Sequence, residues 1–292
     1  MSARGPRRPG QAALAAACLL TVTLLAACQP GTSTSQRTTA GRGAGAAGAP
    51  VVVASFNFPE SQLIAAIYGL AIEHAGIPVR LELGLGPREL VQPALEQGLV
   101  DVVPEYLGTA LTSLRPPAGL AMSDRAAVRA ALARALARWH AQVMAPAAAQ
   151  DQNGIVVTGA TARRLGLRKV YGLGFAGFLP FDTEPQRVTA LREGVVDVAV
   201  LDTSDGNLAA GDLVLLADDR HLQPAENVVP VIRSSALKRY GKRLSAAVDA
   251  VSAQLTSRAL LFMDWRVEVA GNGVMAEARG WLERHRFLPR PG

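Results

Sequence analysis

The chain has 292 residues, of which 49% are hydrophobic and 5% aromatic, and 30 basic side chains against 24 acidic ones give a formal net charge of +6. Arg4, Arg7, Arg8, Arg37 and Arg42 all precede residue 50, so the body carries about +1 and no basic stripe of the kind that binds nucleic acid. Of the two cysteines, Cys18 sits in the N-terminal apolar run, which excludes a disulfide framework and leaves the body to fold on its hydrophobic core.

Arg4, Arg7 and Arg8 lead into an apolar run, Ala12 to Leu25, of secretory-signal length and too short to span a bilayer comfortably. It ends in Leu25-Ala26-Ala27-Cys28, which resembles the lipobox of bacterial lipoproteins, where the cysteine is acylated and becomes the new N-terminus. Residues 1–27 are therefore read as a signal peptide and Cys28 as a lipidation site. A plain signal peptide or a short membrane anchor are the alternatives. The reading implies a protein held by lipid on the extracytoplasmic face of the cell membrane. Residues 28–49, rich in Gly, Ala, Ser and Thr, read as a flexible tether.

The texture changes at Val51. Val51 to Ser55 reads as a buried strand, and Ser61 to Ala75 as a helix stopped by Gly76. Val79 to Leu83 predicts a strand, Gly84 to Arg88 a glycine-bearing loop, Glu89 to Gln97 a helix, and Val100 to Val103 a third strand. Short glycine-stopped connections in strand-helix alternation point to a parallel α/β sheet covered on both faces. Asp124 to Val143 reads as one long Ala/Arg-rich helix with Asp124 at its N-terminus. Short strands follow at Ile155 to Thr158, Leu213 to Leu216 and Val228 to Ile232. Helices are expected at Ala236 to Tyr240, Leu244 to Leu255, Arg258 to Arg266 and Val274 to His285.

A quasi-repeat gives the organisation. Ala94-Leu95-Glu96-Gln97-Gly98-Leu99-Val100-Asp101-Val102 recurs as Ala190-Leu191-Arg192-Glu193-Gly194-Val195-Val196-Asp197-Val198. Both copies read as helix end, glycine cap and strand, which suggests two similar lobes, although such units also arise by chance in α/β proteins. The register then puts Glu105 and Tyr106 beyond one strand, and Leu201 and Asp202 beyond the other. Ligands in open α/β sheets bind past the carboxyl ends of strands, so the two loops should line a cleft between the lobes.

Motifs of catalysis are absent. His74, His140, His221 and His285 have no metal-ligand spacing, and no nucleophile elbow, phosphate loop or dinucleotide fingerprint is present. No cofactor or metal is expected.

Three segments resemble the quaternary-amine (glycine betaine/choline) substrate-binding lipoproteins of ABC importers. They are Ser55 to Glu60; Leu85 to Leu111, with Pro104-Glu105-Tyr106-Leu107-Gly108-Thr109; and Lys169 to Arg233, with Val170-Tyr171-Gly172-Leu173, Thr203-Ser204-Asp205-Gly206 and Pro224-Ala225-Glu226-Asn227. The resemblance implies an α/β, two-lobe, periplasmic-binding-protein-like (type II) clamshell with a hinge. Lobe 1 would occupy residues 50–155, lobe 2 residues 156–229, and residues 230–292 would return to lobe 1 as C-terminal helices. It implies a monomer that gives its solute to a permease whose ATPases are other chains. In this family an aromatic cage holds the ligand's cationic head by cation–π attraction. Tyr106 matches one cage position, whereas Asn153, Asp202 and Ala225 stand at three others. The ligand-binding set implied is Asn57, Phe58, Glu105, Tyr106, Thr109, Gln152, Asn153, Asp202, Thr203 and Asp205, with Asp202 as counter-charge to a bound amine. Several of these residues also admit a local role: Tyr106 as packing beside Pro104, Asp205 as a cap, Phe58 as a hydrophobic staple. Related sequences carry more residues between Leu165 and Val170, which implies a smaller second lobe here. A ligand-sensing accessory lipoprotein and an extracytoplasmic enzyme using Glu105 and Asp202 are the competing functions.

Overall fold

The computed structural model describes residues 48–161 and 177–289. The signal peptide, Cys28, nearly all of the tether and the Leu165–Val170 junction lie outside the described residues.

Strand β1 (Val51–Phe56) is entirely buried, and it leads into α1 (Pro59–His74). Proline at the first helical position and Glu60 next to it suit a helix N-terminus, where an N–H is spare and the dipole favours an anion. β2 (Val79–Gly86), α2 (Arg88–Gln97), β3 (Val102–Tyr106), α3 (Leu107–Ser113), α4 (Arg125–Ala137) and β4 (Ala141–Val143) complete the first pass through lobe 1. Lobe 2 holds β5 (Asn153–Thr158), α5 (Glu184–Arg192), β6 (Ala199–Asp202), a 3₁₀ turn at Gly206–Ala210 and β7 (Leu213–Leu215). The chain returns through β8 (Val228–Arg233) to α6 (Ser234–Tyr240), α7 (Lys242–Gln254), α8 (Ser257–Asp264), a π-helical turn at Trp265–Val269 and α9 (Val274–Arg284). No helix among the described residues is long and apolar enough to cross a membrane.

The lobe 1 sheet runs β2-β1-β3-β8-β4, and α1, α7, α8 and α9 cover one face while α2, α3 and α4 cover the other. Leu63, Ile64, Ile67, Tyr68 and Ile72 of α1 are fully buried in the first of these layers. Each aliphatic side chain so buried stabilises the fold by about 1.5–3 kcal/mol.

Three expectations change. Only β1 pairs in parallel, with β2 and β3; β8 runs antiparallel to β3 and β4, and in lobe 2 β5 is antiparallel to both β6 and β7. A glycine-stopped helix followed by a strand looks the same whichever way the strand runs. The glycine-bearing loop is absorbed into β2, whose Gly86 pairs with Phe56 across a register shift. The long helix stops at Ala137. His140 adopts a positive φ of 56°, and Ala141–Val143 become the edge strand against β8, so tertiary pairing overrides alanine's helical propensity.

The quasi-repeat has a common geometry. Gly98 and Gly194 have φ of 79° and 73°, a left-handed conformation that glycine enters without Cβ strain. In each copy the carbonyl of the first alanine, Ala94 or Ala190, accepts the N–H five residues on, from Leu99 and Val195, both at 2.9 Å.

The lobes are joined by two strands of chain lying side by side. Gln150 and Asn227 form an isolated antiparallel bridge, Asp151 N–H donates to Glu226 O at 3.1 Å, and Asn227 Nδ2 donates to Ala147 O at 2.9 Å. The crossing lies ahead of Asn153, which already pairs with Asp202 in lobe 2, rather than at 155/156.

Candidate functional site

A cavity of about 370 Å³ opens where the two lobes meet the crossing. From lobe 1 come Phe56, Asn57 and Phe58 at the β1–α1 junction, Arg88 at the start of α2, Tyr106 at the end of β3 and Thr109 on α3. From lobe 2 and the crossing come Asn153, Asp202, Asp151, Gln223, Pro224 and Glu226.

The lobe 1 wall is aromatic. Phe58 is 39% exposed, lies parallel to Phe56 with centroids 5.9 Å apart, and tilts against Tyr106 at 6.1 Å. Period-two alternation leaves Tyr106 on the α1 side of β3, where its hydroxyl donates to the buried Glu60 carboxylate. The opposite wall is acidic. Burial is the main cause that raises the carboxyls of Asp151, Asp202 and Glu226, and for Asp151 burial plus the nearby Glu60 and Asp202 charges pushes the value to about 9. Among the described lining residues the one guanidinium, that of Arg88, is already committed. Its Nη1 and Nη2 fork onto Glu105 at 2.7 and 2.8 Å, and it lies 4.9 Å from the centre of the Phe56 ring.

Of the ten residues expected to bind, Asn57, Phe58, Tyr106, Thr109, Asn153 and Asp202 line the cavity. The other four do not. Glu105 points to the α2 side of the sheet, where Arg88 takes both its oxygens. Gln152 is a lobe clip: its Nε2 donates to Pro224 O at 2.7 Å, its N–H donates to Thr203 Oγ1 at 2.9 Å, and its carbonyl accepts from Thr203 N–H at 2.7 Å. Thr203 is thus consumed in the same clip. Asp205 caps the 3₁₀ turn, its Oδ1 accepting from Asn207 N–H at 2.7 Å.

Sequence reasoning missed Phe56, Arg88, Asp151, Gln223 and Glu226. Phe56 and Glu226 stand inside the segments that carry the family resemblance. Asp151 lies between Gln150 and Gln152 in a stretch read only for its amides. A carboxylate in the chain's first crossing between lobes was the available signal for it. Glu226 accepts both the N–H and the hydroxyl of Thr109 at 3.0 Å, which ties the second crossing to α3.

The family model for the substrate-binding domain of ABC-type glycine betaine transport systems matches residues 49–179 and 164–284. The chain belongs to this family. It is the solute-binding component of an ABC importer, and the family partner is a permease. Solved structures share the fold of this family member. Apo YehZ from Escherichia coli superposes with a TM-score of 0.71 at 21% identity, over 82% of this chain and 99% of that one. A glycine betaine/carnitine/choline ABC transporter structure gives 0.72 at 21% identity, over 81% and 99%. Lactococcal OpuAC, in its closed-liganded conformation with glycine betaine, gives 0.55 at 13% identity, over 81% and 96%. The two-lobe type II clamshell is therefore the architecture of this binding protein.

Proposed function

We propose that this chain captures a small organic cation of the quaternary-amine class between its lobes, with choline-like solutes preferred over zwitterions. The observation that carries the reading is the division of the cleft. Phe56, Phe58 and Tyr106 present three rings from one side, Asp151 and Asp202 present carboxylates from the other, and Arg88 is held by Glu105. A cation over such rings gains about 0.5–2 kcal/mol per ring, more as water is excluded. A carboxylate on the solute, by contrast, would oppose ionisation of Asp151 and Asp202, and among the described lining residues the guanidinium of Arg88 is already held by Glu105.

We infer further that the protein is a monomer anchored by acylated Cys28 on the extracytoplasmic face of the cell membrane. The Leu25-Ala26-Ala27-Cys28 sequence after the apolar run supports this. Cys28→Ser should move the protein from the membrane fraction to the soluble one.

A thermal-shift series with choline, glycine betaine, putrescine, neutral amino acids and sugars tests the solute class. Choline should raise the melting temperature as its concentration passes the dissociation constant, and sugars should not. A shift with a sugar and none with any organic cation would sink the reading.

A further inference from the structure

Behind the cleft wall the two lobes bring several buried carboxyls together. Glu60 enters from α1 and Asp264 from the end of α8, and each carboxyl acts on the other's charge. Asp264 is 2% exposed, and neither of its oxygens meets a hydrogen-bond donor. A carboxylate buried without a donor is costly, and a proton on Asp264 removes that cost. Tyr106 donates its hydroxyl to the same Glu60, and Asp151, at the cleft surface, accepts from Ser204 Oγ at 2.7 Å. The cluster is closed off by the 3₁₀ turn of lobe 2. A methyl group placed on Gly206 would lie 2.6 Å from both N and Cα of Trp265, so that turn sits directly on the residue after Asp264.

The other charged groups that bear on this cluster are Asp202 from β6, Asp205 from the cap, Glu184 and Arg187 from α5, and Glu268 from the π-helical turn. Arg187 acts on Asp202 and Glu184. A set of like charges removed from water keeps protons rather than ionise fully.

We propose that solute binding here is coupled to proton release: Glu60, Asp151 and Asp264 hold protons in the empty protein, and an organic cation entering the cleft expels one of them. This rests on the cationic solute proposed above. The exchange balances in charge, since one cation enters as one O–H bond breaks and the proton leaves to water from Asp151, whose carboxyl lines the cleft. Asp264 is a positioning residue in this scheme. It does not touch the solute, but its charge bears on whether Glu60 can be ionised while it accepts from Tyr106. Burial is the main cause that raises all three carboxyls, Asp151 to about 9, and Asp264 in addition has no donor on either buried oxygen to favour its charged form.

Titration calorimetry of the purified full chain with choline chloride, between about pH 6 and pH 8 in phosphate and in Tris, reads the coupling directly. Release of one proton per choline makes the affinity rise about tenfold per pH unit, with a binding heat that differs between the two buffers. Asp264→Asn, which keeps the shape and gives Glu60 a donor, should still bind choline but with a flatter pH profile. A choline affinity constant across that range, with identical heats in both buffers, overturns the proposal.

Denaturant unfolding without ligand gives the second measurement. Carboxyls protonated when folded but ordinary when unfolded bind fewer protons in the unfolded state, so stability falls as pH rises above about 4 toward 9. His285, whose value is lowered mainly by burial, works in the opposite sense near pH 6, so the difference between wild type and Asp264→Asn isolates the cluster. Part of the fall should disappear in Asp264→Asn, and equal profiles for the two proteins overturn the proposal. If the variant does not fold, the proton count on wild type decides alone. If choline binds at no pH, the solute class is wrong and its coupling falls with it, a result distinct from binding that ignores pH.

Discussion

Arg88 and Glu105 close a two-pronged ion pair at 2.7 and 2.8 Å, with Arg88 drawn from the cleft lining toward the sheet and Glu105 from the end of β3. The pair controls the sign of charge that the cleft offers. Glu105→Gln removes the anion while leaving one acceptor, so the guanidinium becomes free to meet a solute carboxylate. Affinity for choline should then fall by about tenfold, equivalent to about 1.4 kcal/mol, and affinity for glycine betaine should rise. Calorimetry with both ligands checks this. Equal losses for the two ligands would mean that Arg88 stays where it is.

The aromatic wall makes a separate prediction. Phe58 contributes a ring without a polar anchor, whereas Tyr106 also bonds Glu60. Phe58→Ala should weaken choline binding by about 2–30-fold, the range expected from about 0.5–2 kcal/mol for one cation–π contact. Tyr106→Phe keeps the ring, so any loss beyond that of folding stability reports the hydroxyl and its partner. Tyr106→Ala should cost more than either. An unchanged choline affinity in Phe58→Ala would remove that ring from the site.

Much of this site was legible because strand ends announce themselves. The Val-Asp-Val repeat located Tyr106 and Asp202, and both line one cavity. The cage count was misleading for a physical reason. Matching family positions one by one left only Tyr106, whereas Phe56 and Phe58, two residues apart at the β1–α1 junction, stack and also line the cavity. Glu105 looked like a cleft residue because it adjoins Tyr106, but side chains alternate across a strand, and it takes the opposite face. Glu60 and Asp264, 204 positions apart, had no local pattern to connect them. Only the packing of α8 against α1 brings those two buried carboxyls into one cluster.

Asp124 provides a test of local stability independent of the site. Its Oδ1 accepts from Ala126 and Ala127 N–H at 2.9 and 3.1 Å, capping α4, and Asp124 itself does not line the cavity. Asp124→Ala leaves both donors to water and should cost about 0.5–2 kcal/mol of unfolding free energy. Denaturant midpoints measure this, and choline affinity should stay at the wild-type level. A change in affinity as large as the change in stability would show that α4 is coupled to the cleft.

Gly206 tests how the lobes stay together. Its missing side chain allows the lobe 2 turn to approach the backbone of Asp264 and Trp265, and a Cβ there would meet backbone atoms at 2.6 to 2.9 Å. Backbone cannot yield as a side-chain tip does, so Gly206→Ala forces the two surfaces apart or strains the turn, at about 1–3 kcal/mol. The Gln152–Thr203 clip and the Gln150–Asn227 bridge do not depend on this contact and should hold the crossing intact. The expected result is a variant that folds, has a larger radius of gyration in X-ray scattering, and binds choline about fivefold or more weakly because the acidic wall no longer closes on the aromatic one. A variant with wild-type dimensions and wild-type affinity would mean that lobe closure does not depend on this contact.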